Sequence, residues 1–298
     1  MILYVCISSQ GWIIGLVIYT LFTYFMAFVL QNFANLEMMK GADEMFFLDD
    51  DRNCLNIVAF HKWDKITDVD SYRKTMLRRA CQFPRLKSKV VKVLGKYMLN
   101  PFSDQEMMDS MDKTMPIVTD VHDERQLADF MAKEQSTRLP LGFLQWRLFL
   151  IPDYRPNESL FVYKVHHSLA DGIANILFFN HLTDEPKLSN YPNIIVRLGF
   201  FQDLFIKMCM PFYLIWLTIK LVFIMKSERN GYKTDEVCGK LKALKNFEFI
   251  PDLNIEDVKK KAAELSSTGS QRVTINDVIM TVMSKSIHDY LQQNTKDT

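Results

Sequence analysis

The feature that most constrains the fold is an uncharged amino-terminal segment, because residues 1–36 contain no charged side chain. As a helix rising about 1.5 Å per residue, its apolar stretch 12–30 spans about 28 Å, close to the hydrocarbon thickness of a bilayer. A cleaved signal peptide would need a basic start, a shorter apolar region and a small-residue cleavage site, which the segment lacks. We therefore expect 1–36 to be an uncleaved transmembrane anchor, with its orientation left open.

A second apolar stretch, residues 199–226, is interrupted by features that disfavour a simple span. Pro211 breaks or kinks a helix, and Lys220 within a span would cost about 2.5–3.5 kcal/mol. Asp203 and Lys207 could pair on one helical face. We expect helices that lie at the membrane interface with their lysines reaching the headgroups. A buried connecting helix pair and a second span are the alternatives.

Composition excludes several classes of partner and site. The chain has 36 basic and 35 acidic residues, so it lacks the basic excess typical of nucleic-acid binding. The basic side chains between Arg73 and Lys89 fit a solvated helical face better than a nucleic-acid or anionic-lipid patch. Five scattered cysteines without paired or zinc-ligand spacing indicate reduced thiols and no metal site.

The segments between the two apolar stretches alternate between helical and strand patterns. Asp43 could cap a short helix, and Asp70 or Ser71 could begin the amphipathic helix of the segment 68–91. Alternating or apolar runs predict strands, two of which could pair as a hairpin. The chain therefore reads as a mixed α/β, or layered α+β, domain. The remaining predictions are strands at 54–63, 145–154 and 159–167 and helices at 124–135 and 172–184.

The stretch "VHHSLADG" (165–172) carries two adjacent histidines at the end of a predicted strand. Because strand side chains alternate faces, His167 shares a face with Tyr163, whereas His166 points the other way with Lys164. Only one histidine can therefore address a given cleft. His167 and Asp171 could form a two-ligand metal site, but no third ligand has suitable spacing.

A turn after the strand places His167 in front of a predicted helix. Asp171 stands at the N-cap, where its carboxylate can accept hydrogen bonds from the first turn. Gly172 has no side chain and leaves room for a substrate or another backbone. A histidine fixed beside an open space near a helix start suits a general base. A buried histidine beside a capping aspartate is the alternative, which the full pattern makes less favourable.

"HHSLADG" resembles the HHxxxDG motif of the chloramphenicol acetyltransferase-like superfamily, which includes peptide-synthetase condensation domains and CoA-dependent acyltransferases. "CQFPRLKSKVV", "LFLIPDYRPNESLFVYKVHHSLADG" and "VTINDVIMTVMSKSIHDYL" follow the order expected for the wax ester synthase/diacylglycerol acyltransferase family. "TINDVIM" (274–280) resembles that family's NDV motif. The similarity covers most of 40–185 and 245–292. The family's proline-leucine-tryptophan motif is degenerate here, since "LPLGFLQWR" retains only Trp146 of the tripeptide in place.

The resemblance implies a fold of two chloramphenicol acetyltransferase-like lobes with the site between them. It predicts an anchor at 1–36, the amino-terminal lobe at 37–190, a connector with membrane-interfacial helices at 191–245, and the start of a carboxy-terminal lobe at 246–298. We expect that second lobe to be truncated. A half-site of this kind would leave apolar surface exposed unless a second copy of the chain or the membrane covers it.

The resemblance also implies a mechanism. His167 would take a proton from the hydroxyl of a fatty alcohol or diacylglycerol, and the alkoxide would attack the thioester of a fatty acyl-CoA. His166 would be auxiliary, Asp171 would orient the loop, and Gly172 would keep the tunnel open. Acyl-CoA would be a co-substrate, with no bound cofactor and no metal.

Asn276 and Asp277 would be support residues near the substrate. Thr274 and Asp277 also fit a capping box that opens a helix over 275–292, which is a purely structural alternative.

We expect the active part to be cytosolic, at the endoplasmic reticulum or plasma membrane, because the CoA substrate is charged and cytosolic. The alternative function is a non-catalytic, membrane-anchored lobe that binds lipid or a protein partner.

Overall fold

The computed structural model describes residues 2–39, 41–182, 199–224, 243–250, 253–269 and 271–294. Its contacts divide the chain into two units. Unit 1 comprises 1–190 and 242–248, and unit 2 comprises 191–241 and 249–298.

Unit 1 contains seven helices and six strands among the described residues. A short 3-10 helix, Phe46–Leu48, follows the second α-helix. The α-helices are α1 Ile2–Ala34, α2 Gly41–Met45, α3 Val69–Ala80, α4 Asp104–Asp109, α5 Met111–Thr114, α6 Glu124–Gln135 and α7 Gly172–Leu182. The strands are β1 Glu37–Met38, β2 Asn56–Asp64, β3 Ser88–Val93, β4 Lys96–Pro101, β5 Trp146–Arg155 and β6 Glu158–His166.

The strands form two antiparallel sheets of three strands each, with the orders β1-β4-β3 and β2-β6-β5. The predicted hairpin is present as β5 and β6, joined by a tight turn at 156–157. The predicted strand at 54–63 is β2, which pairs with β6 along its whole length. The prediction of a mixed α/β fold is therefore confirmed for this unit.

The central strand β6 is buried on both faces, and its side chains alternate as predicted. On one face the Tyr163 hydroxyl donates to Oδ1 of Asn175 on α7 at 3.2 Å. On the other, Lys164 Nζ donates to Oε2 of Glu134 on α6 at 2.9 Å. Because helices cover both faces of β6, most of its residues are apolar, and its sequence does not alternate between apolar and polar residues.

Two predicted helix starts in unit 1 were wrong. The Asp68 carboxylate, not Asp70 or Ser71, caps α3 by accepting the N–H of Ser71. Asp43 lies inside α2 and forms an ion pair with Arg85 instead of capping the helix.

The basic cluster between Arg73 and Lys89 is not one solvated helical face. The helix α3 ends at Ala80, before Pro84, and the chain then enters β3, as expected where proline stops a helix. Arg73 is buried and donates to the Met115 carbonyl and to Asp112. Its cationic group therefore fixes the short helix α5 instead of facing water.

The apolar core 12–30 of the anchor predicted at 1–36 lies within the long helix α1. Within the described part of the chain, however, no individual helix combines the length and apolarity that a bilayer span requires. Two consecutive segments, Phe200–Met210 and Phe212–Phe223, pass that test only together, with a bend of 40° between them. Of the anchor predicted at 1–36, this test finds Leu21–Ala34 as a shorter apolar helix.

In unit 2 the described helices are α8 Phe200–Ile219, α9 Ile255–Thr268 and α10 Ile275–Asn294, with a π-helical turn at Lys220–Ile224. The bend falls at Pro211, where the sequence predicts a kink, because proline cannot donate to the helical ladder. The predicted helix 275–292 corresponds to α10. Of the connector predicted at 191–245, residues 191–198 and 225–242 lie outside the described residues.

Candidate functional site

The histidine pair lies where β6 gives way to the turn before α7. The strand ends at His166, one residue earlier than predicted. The N–H of His166 donates to the Gln145 carbonyl at 2.9 Å, and the N–H of His167 donates to the Leu55 carbonyl at 2.8 Å. The backbone on both sides therefore fixes the pair.

The turn after the histidines has the predicted capping geometry. Asp171 Oδ1 accepts the N–H of Ala174 at 2.8 Å and caps α7, as a carboxylate at an N-cap does. Asp171 itself is exposed. A Cβ at Gly172 would meet no described atom within 4 Å, so the space in front of α7 is open in unit 1.

The ring of His167 is held in one orientation but is not closed off. It stacks on Phe46, with ring centroids 4.2 Å apart and an angle of 21° between the planes. Its Nδ1 is buried and has no hydrogen-bond partner among the described residues. The residue is only half-buried, so a substrate can approach the ring. An imidazole of fixed orientation with an accessible edge can act as a general base.

His166 is much more enclosed, with 3% of its surface exposed. Its ring stacks on Phe47 at a centroid distance of 4.4 Å. Nδ1 lies 2.7 Å from the Ser168 hydroxyl and accepts the Ser168 N–H at 3.3 Å. Because Nδ1 accepts that N–H, the neutral ring carries its proton on Nε2.

Asp49 is the principal site residue that the sequence predictions missed. Its side chain is 2% exposed, and Oδ2 lies 3.6 Å from Nε2 of His166. Oδ1 accepts Nη2 of Arg138 at 2.7 Å, and the N–H of Leu55 lies 3.4 Å from Oδ2. The only sequence signal is a run of three aspartates at 49–51, which is more typical of a solvated turn.

Burial gives His166 a distinct pH dependence. Desolvation lowers the pKa of His166 below its ordinary value of 6.5, although Asp49 opposes the shift. Below about pH 6.5 the unfolded chain thus binds a proton more readily than the folded one, so acidification reduces stability. The stability that the folded protein has while His166 is neutral is present above about pH 6.5 and is lost as the pH falls through the folded-state pKa.

We expect the free energy of unfolding to fall more steeply between about pH 7 and pH 5 in the parent than in His166→Gln, by at most about 1.4 kcal/mol per pH unit. Urea unfolding at a series of pH values would measure the two slopes. The pKa of His61 is also lowered by burial, but His61 is present in both proteins, so its effect on the two slopes is the same. Parallel curves would show that His166 does not carry the effect.

The structure brings together His166, His167, Asp171 and Gly172, whereas Asn276 and Asp277 belong to unit 2. Asp277 Oδ2 accepts the Thr274 N–H and hydroxyl at 2.8 and 2.7 Å, and the Asp277 N–H donates back to Thr274 Oγ1 at 3.3 Å. The predicted capping box at the start of α10 is thus confirmed. A supporting role for these two residues near the histidines stays a prediction.

Within the described ranges, no three histidine, cysteine, aspartate or glutamate side chains are grouped so that they could hold a metal ion.

Neither a protein-family model nor a curated protein sequence matches the chain. Several solved structures are similar to part of it. One is a wax ester synthase/diacylglycerol acyltransferase from Marinobacter aquaeolei VT8, with 17% identity and a TM-score of 0.36 over 47% of this chain and 36% of that one.

Two others show similarity of the same extent. A trichothecene 15-O-acetyltransferase from Fusarium sporotrichioides has 15% identity and a TM-score of 0.38, covering 49% of this chain and 34% of that one. The first condensation domain of the calcium-dependent antibiotic synthetase has 15% identity and a TM-score of 0.40, covering 48% and 35%. The chain thus spans about a third of the length of each structure, and at these values the family is not established.

Proposed function

We propose that the chain is an acyl-CoA-dependent O-acyltransferase that forms wax esters, triacylglycerol or both, with His167 as the general base. The observation that carries the proposal is the setting of His167. Stacking on Phe46 and the backbone bond to Leu55 fix the residue, while it remains accessible beside the open space at Gly172.

The proposed reaction is a single displacement at a thioester. The accessible imidazole nitrogen of His167 takes the proton of the acceptor hydroxyl as the oxygen attacks the thioester carbon. The carbon–sulfur bond of the tetrahedral intermediate then breaks, and the imidazolium returns the proton to the departing CoA thiolate. The products are one ester and free CoA, and the histidine ends in its starting state.

The other predicted site residues have supporting roles in this proposal. His166 is buried against Asp49 and Ser168, which suits an auxiliary position better than contact with the reacting atoms. Asp171 holds the turn by capping α7, and Gly172 leaves the approach unobstructed. Asn276 and Asp277 would support the site from the second lobe.

The substrates in this proposal are a fatty acyl-CoA and a fatty alcohol or diacylglycerol, all of which partition to membranes. Residues 1–36 and the apolar helix α8 would hold the protein at the endoplasmic reticulum or plasma membrane, with the catalytic part cytosolic. A second copy of the chain could complete the active site. Protease protection of tagged termini in sealed vesicles would test the orientation.

Purified protein in detergent, supplied with palmitoyl-CoA and either hexadecanol or dioleoylglycerol, tests the proposed activity. Ester product identified by mass spectrometry, with one free CoA thiol released per ester, would support it. Thiol release without ester formation would indicate hydrolysis, and the absence of both products from folded protein would refute acyl transfer.

The exposed aromatic side chains of α8 favour direct membrane binding. Phe201, Phe205 and Phe212 each expose more than two thirds of their surface. Burying a side chain of this type in an apolar medium stabilises binding by about 1.5–3 kcal/mol.

We expect the double variant Phe205→Glu/Phe212→Glu to partition at least about tenfold less onto phosphatidylcholine vesicles than the parent does. Co-sedimentation with the vesicles would measure this. A control variant, Gln202→Glu/Thr218→Glu, adds the same two charges to α8 without removing apolar surface. Equal losses in both variants would show that added charge, not lost apolar contact, weakens the binding.

A membrane-anchored, non-catalytic lipid-binding protein is the second candidate, and the same exposed aromatic residues favour it. Vesicle binding that depends on Phe205 and Phe212, in protein that forms no ester, would support this candidate over the enzyme.

A further inference from the structure

A cavity of about 290 Å³ lies beside His166, and the proposed general base His167 is not part of its lining. One wall is apolar: Phe47 is stacked between Tyr97 and His166, at centroid distances of 4.3 and 4.4 Å, and Leu139 and Leu141 lie with it. The polar wall of the cavity includes the side chains of Asp49, Arg138, Gln145 and His166.

The polar wall contains a donor without a partner among the described residues, and an acceptor, Asp49 Oδ2, that takes the Leu55 N–H at 3.4 Å and can accept a second hydrogen bond. Nε2 of His166 is buried and has no hydrogen-bond partner among the described residues. Since Nδ1 accepts the Ser168 N–H, Nε2 is the protonated nitrogen and therefore a donor. Oδ2 of Asp49 lies 3.6 Å from Nε2, which is beyond hydrogen-bond reach. A buried donor left in this state costs about 1–3 kcal/mol.

The charges on this wall argue against an anionic ligand. Arg138 Nη2 lies 2.7 Å from Asp49 Oδ1, and its Nη1 lies 3.9 Å from Asp51 Oδ1. Two carboxylates therefore face the one guanidinium. A phosphate, a carboxylate or the CoA moiety would meet the buried charge of Asp49, and the described lining offers no cation other than Arg138 to offset it.

A hydroxyl group matches the donor and the acceptor at once. Its oxygen can accept the Nε2–H of His166 while its proton goes to Oδ2 of Asp49, whereas a carbonyl or thioester oxygen could satisfy only the histidine. The apolar wall supplies a surface for a hydrocarbon or aromatic body. At about 30 Å³ each, the share of a water molecule in the liquid, the cavity holds roughly ten non-hydrogen atoms.

We propose that this cavity binds a small neutral alcohol, with the hydroxyl bridging His166 and Asp49 and an apolar body of up to about ten atoms against Phe47 and Leu141. The site stands independently of acyl transfer, because it requires neither acyl-CoA nor the ring of His167.

Binding of benzyl alcohol and toluene to the full chain, which have the same ring but differ in the hydroxyl, tests the proposal. NMR of protein with isotope-labelled histidine rings reports the binding, and the His166 signal is identified by its loss in His166→Gln. Benzyl alcohol is expected to bind about tenfold more tightly than toluene and to shift the His166 signal. Asp49→Asn is expected to remove most of that preference.

Leu141→Trp provides a variant that is independent of the buried charges, because Leu141 lines the cavity and is itself half-exposed. Filling the cavity should reduce the affinity for both compounds at least tenfold. Ile117→Trp, at a similarly exposed aliphatic residue outside the cavity, should leave the affinities unchanged. His167→Ala should also keep the preference for benzyl alcohol, even if acyl transfer is lost.

Equal affinity of the parent for benzyl alcohol and toluene would overturn the proposal, as would no binding at all or unchanged affinity in Leu141→Trp. If the parent forms no ester but still prefers benzyl alcohol, the proposed acyl transfer fails and the alcohol site stands.

Discussion

Replacement of His167 by alanine is expected to lower the rate of ester formation by about 10²–10⁴-fold, the usual contribution of a positioned general base. The substitution removes the nitrogen that would accept the hydroxyl proton. It leaves the His167 backbone bond to Leu55 available, since that bond uses the main-chain N–H. Steady-state release of CoA thiol, with ester product measured in parallel, would give the ratio.

Two comparisons separate loss of the base from loss of the fold. His122→Ala removes an exposed histidine on the amino-terminal side of α6 and should keep the parent rate. His166→Ala should lower the rate without abolishing it, because its ring supports the site from a buried position. Parent-like ester formation by His167→Ala would refute the mechanism, whatever the fold of the protein.

Glu134→Gln is expected to reduce the free energy of unfolding of unit 1 by about 3–5 kcal/mol, because it leaves the buried ammonium of Lys164 without its counter-charge. The Lys164 side chain is 0% exposed and lies 2.9 Å from Glu134 Oε2. Burial lowers the pKa of Lys164, while Glu134 partly opposes the shift. Urea unfolding followed by circular dichroism would measure the change.

The double variant Glu134→Gln/Lys164→Met tests the cause of that loss. It removes both charges and fills the strand position with an apolar side chain of similar length, so it should recover most of the lost stability. If the double variant is as unstable as the sum of the two single variants, side-chain packing rather than the unpaired charge explains the effect.

Local patterns in the sequence predict much of unit 1 around the site. The hairpin β5–β6, the helix α6 and the capping of α7 by Asp171 follow from alternation, helical spacing and cap chemistry, which depend on near neighbours in the chain. The opposite directions of Tyr163 and Lys164 follow from the same alternation. These features depend on residues that are close in the chain, so the sequence alone can predict them.

The surroundings of the histidines depend on contacts between distant segments, and these were not predictable. Asp49 is buried where Arg138 and His166, which are far from it in sequence, converge on it. Asp43 is a cap by composition, but Arg85 draws it into an ion pair. Neither propensity nor periodicity contains information on such distant contacts. The environment of His166 therefore had no sequence signal beyond the acidic run at 49–51.

The two stacked pairs at the site have a consequence for insertions and deletions. Consecutive residues of the 3-10 helix, Phe46 and Phe47, stack on two consecutive histidines: Phe46 on His167, just after β6, and Phe47 on His166, its last residue. Each phenyl ring of one segment is therefore paired with one imidazole of the other. A single residue added or removed between Phe47 and the start of β2 would shift one segment against the other and offer each imidazole the wrong neighbour. The length of that loop therefore determines which phenyl ring covers each imidazole.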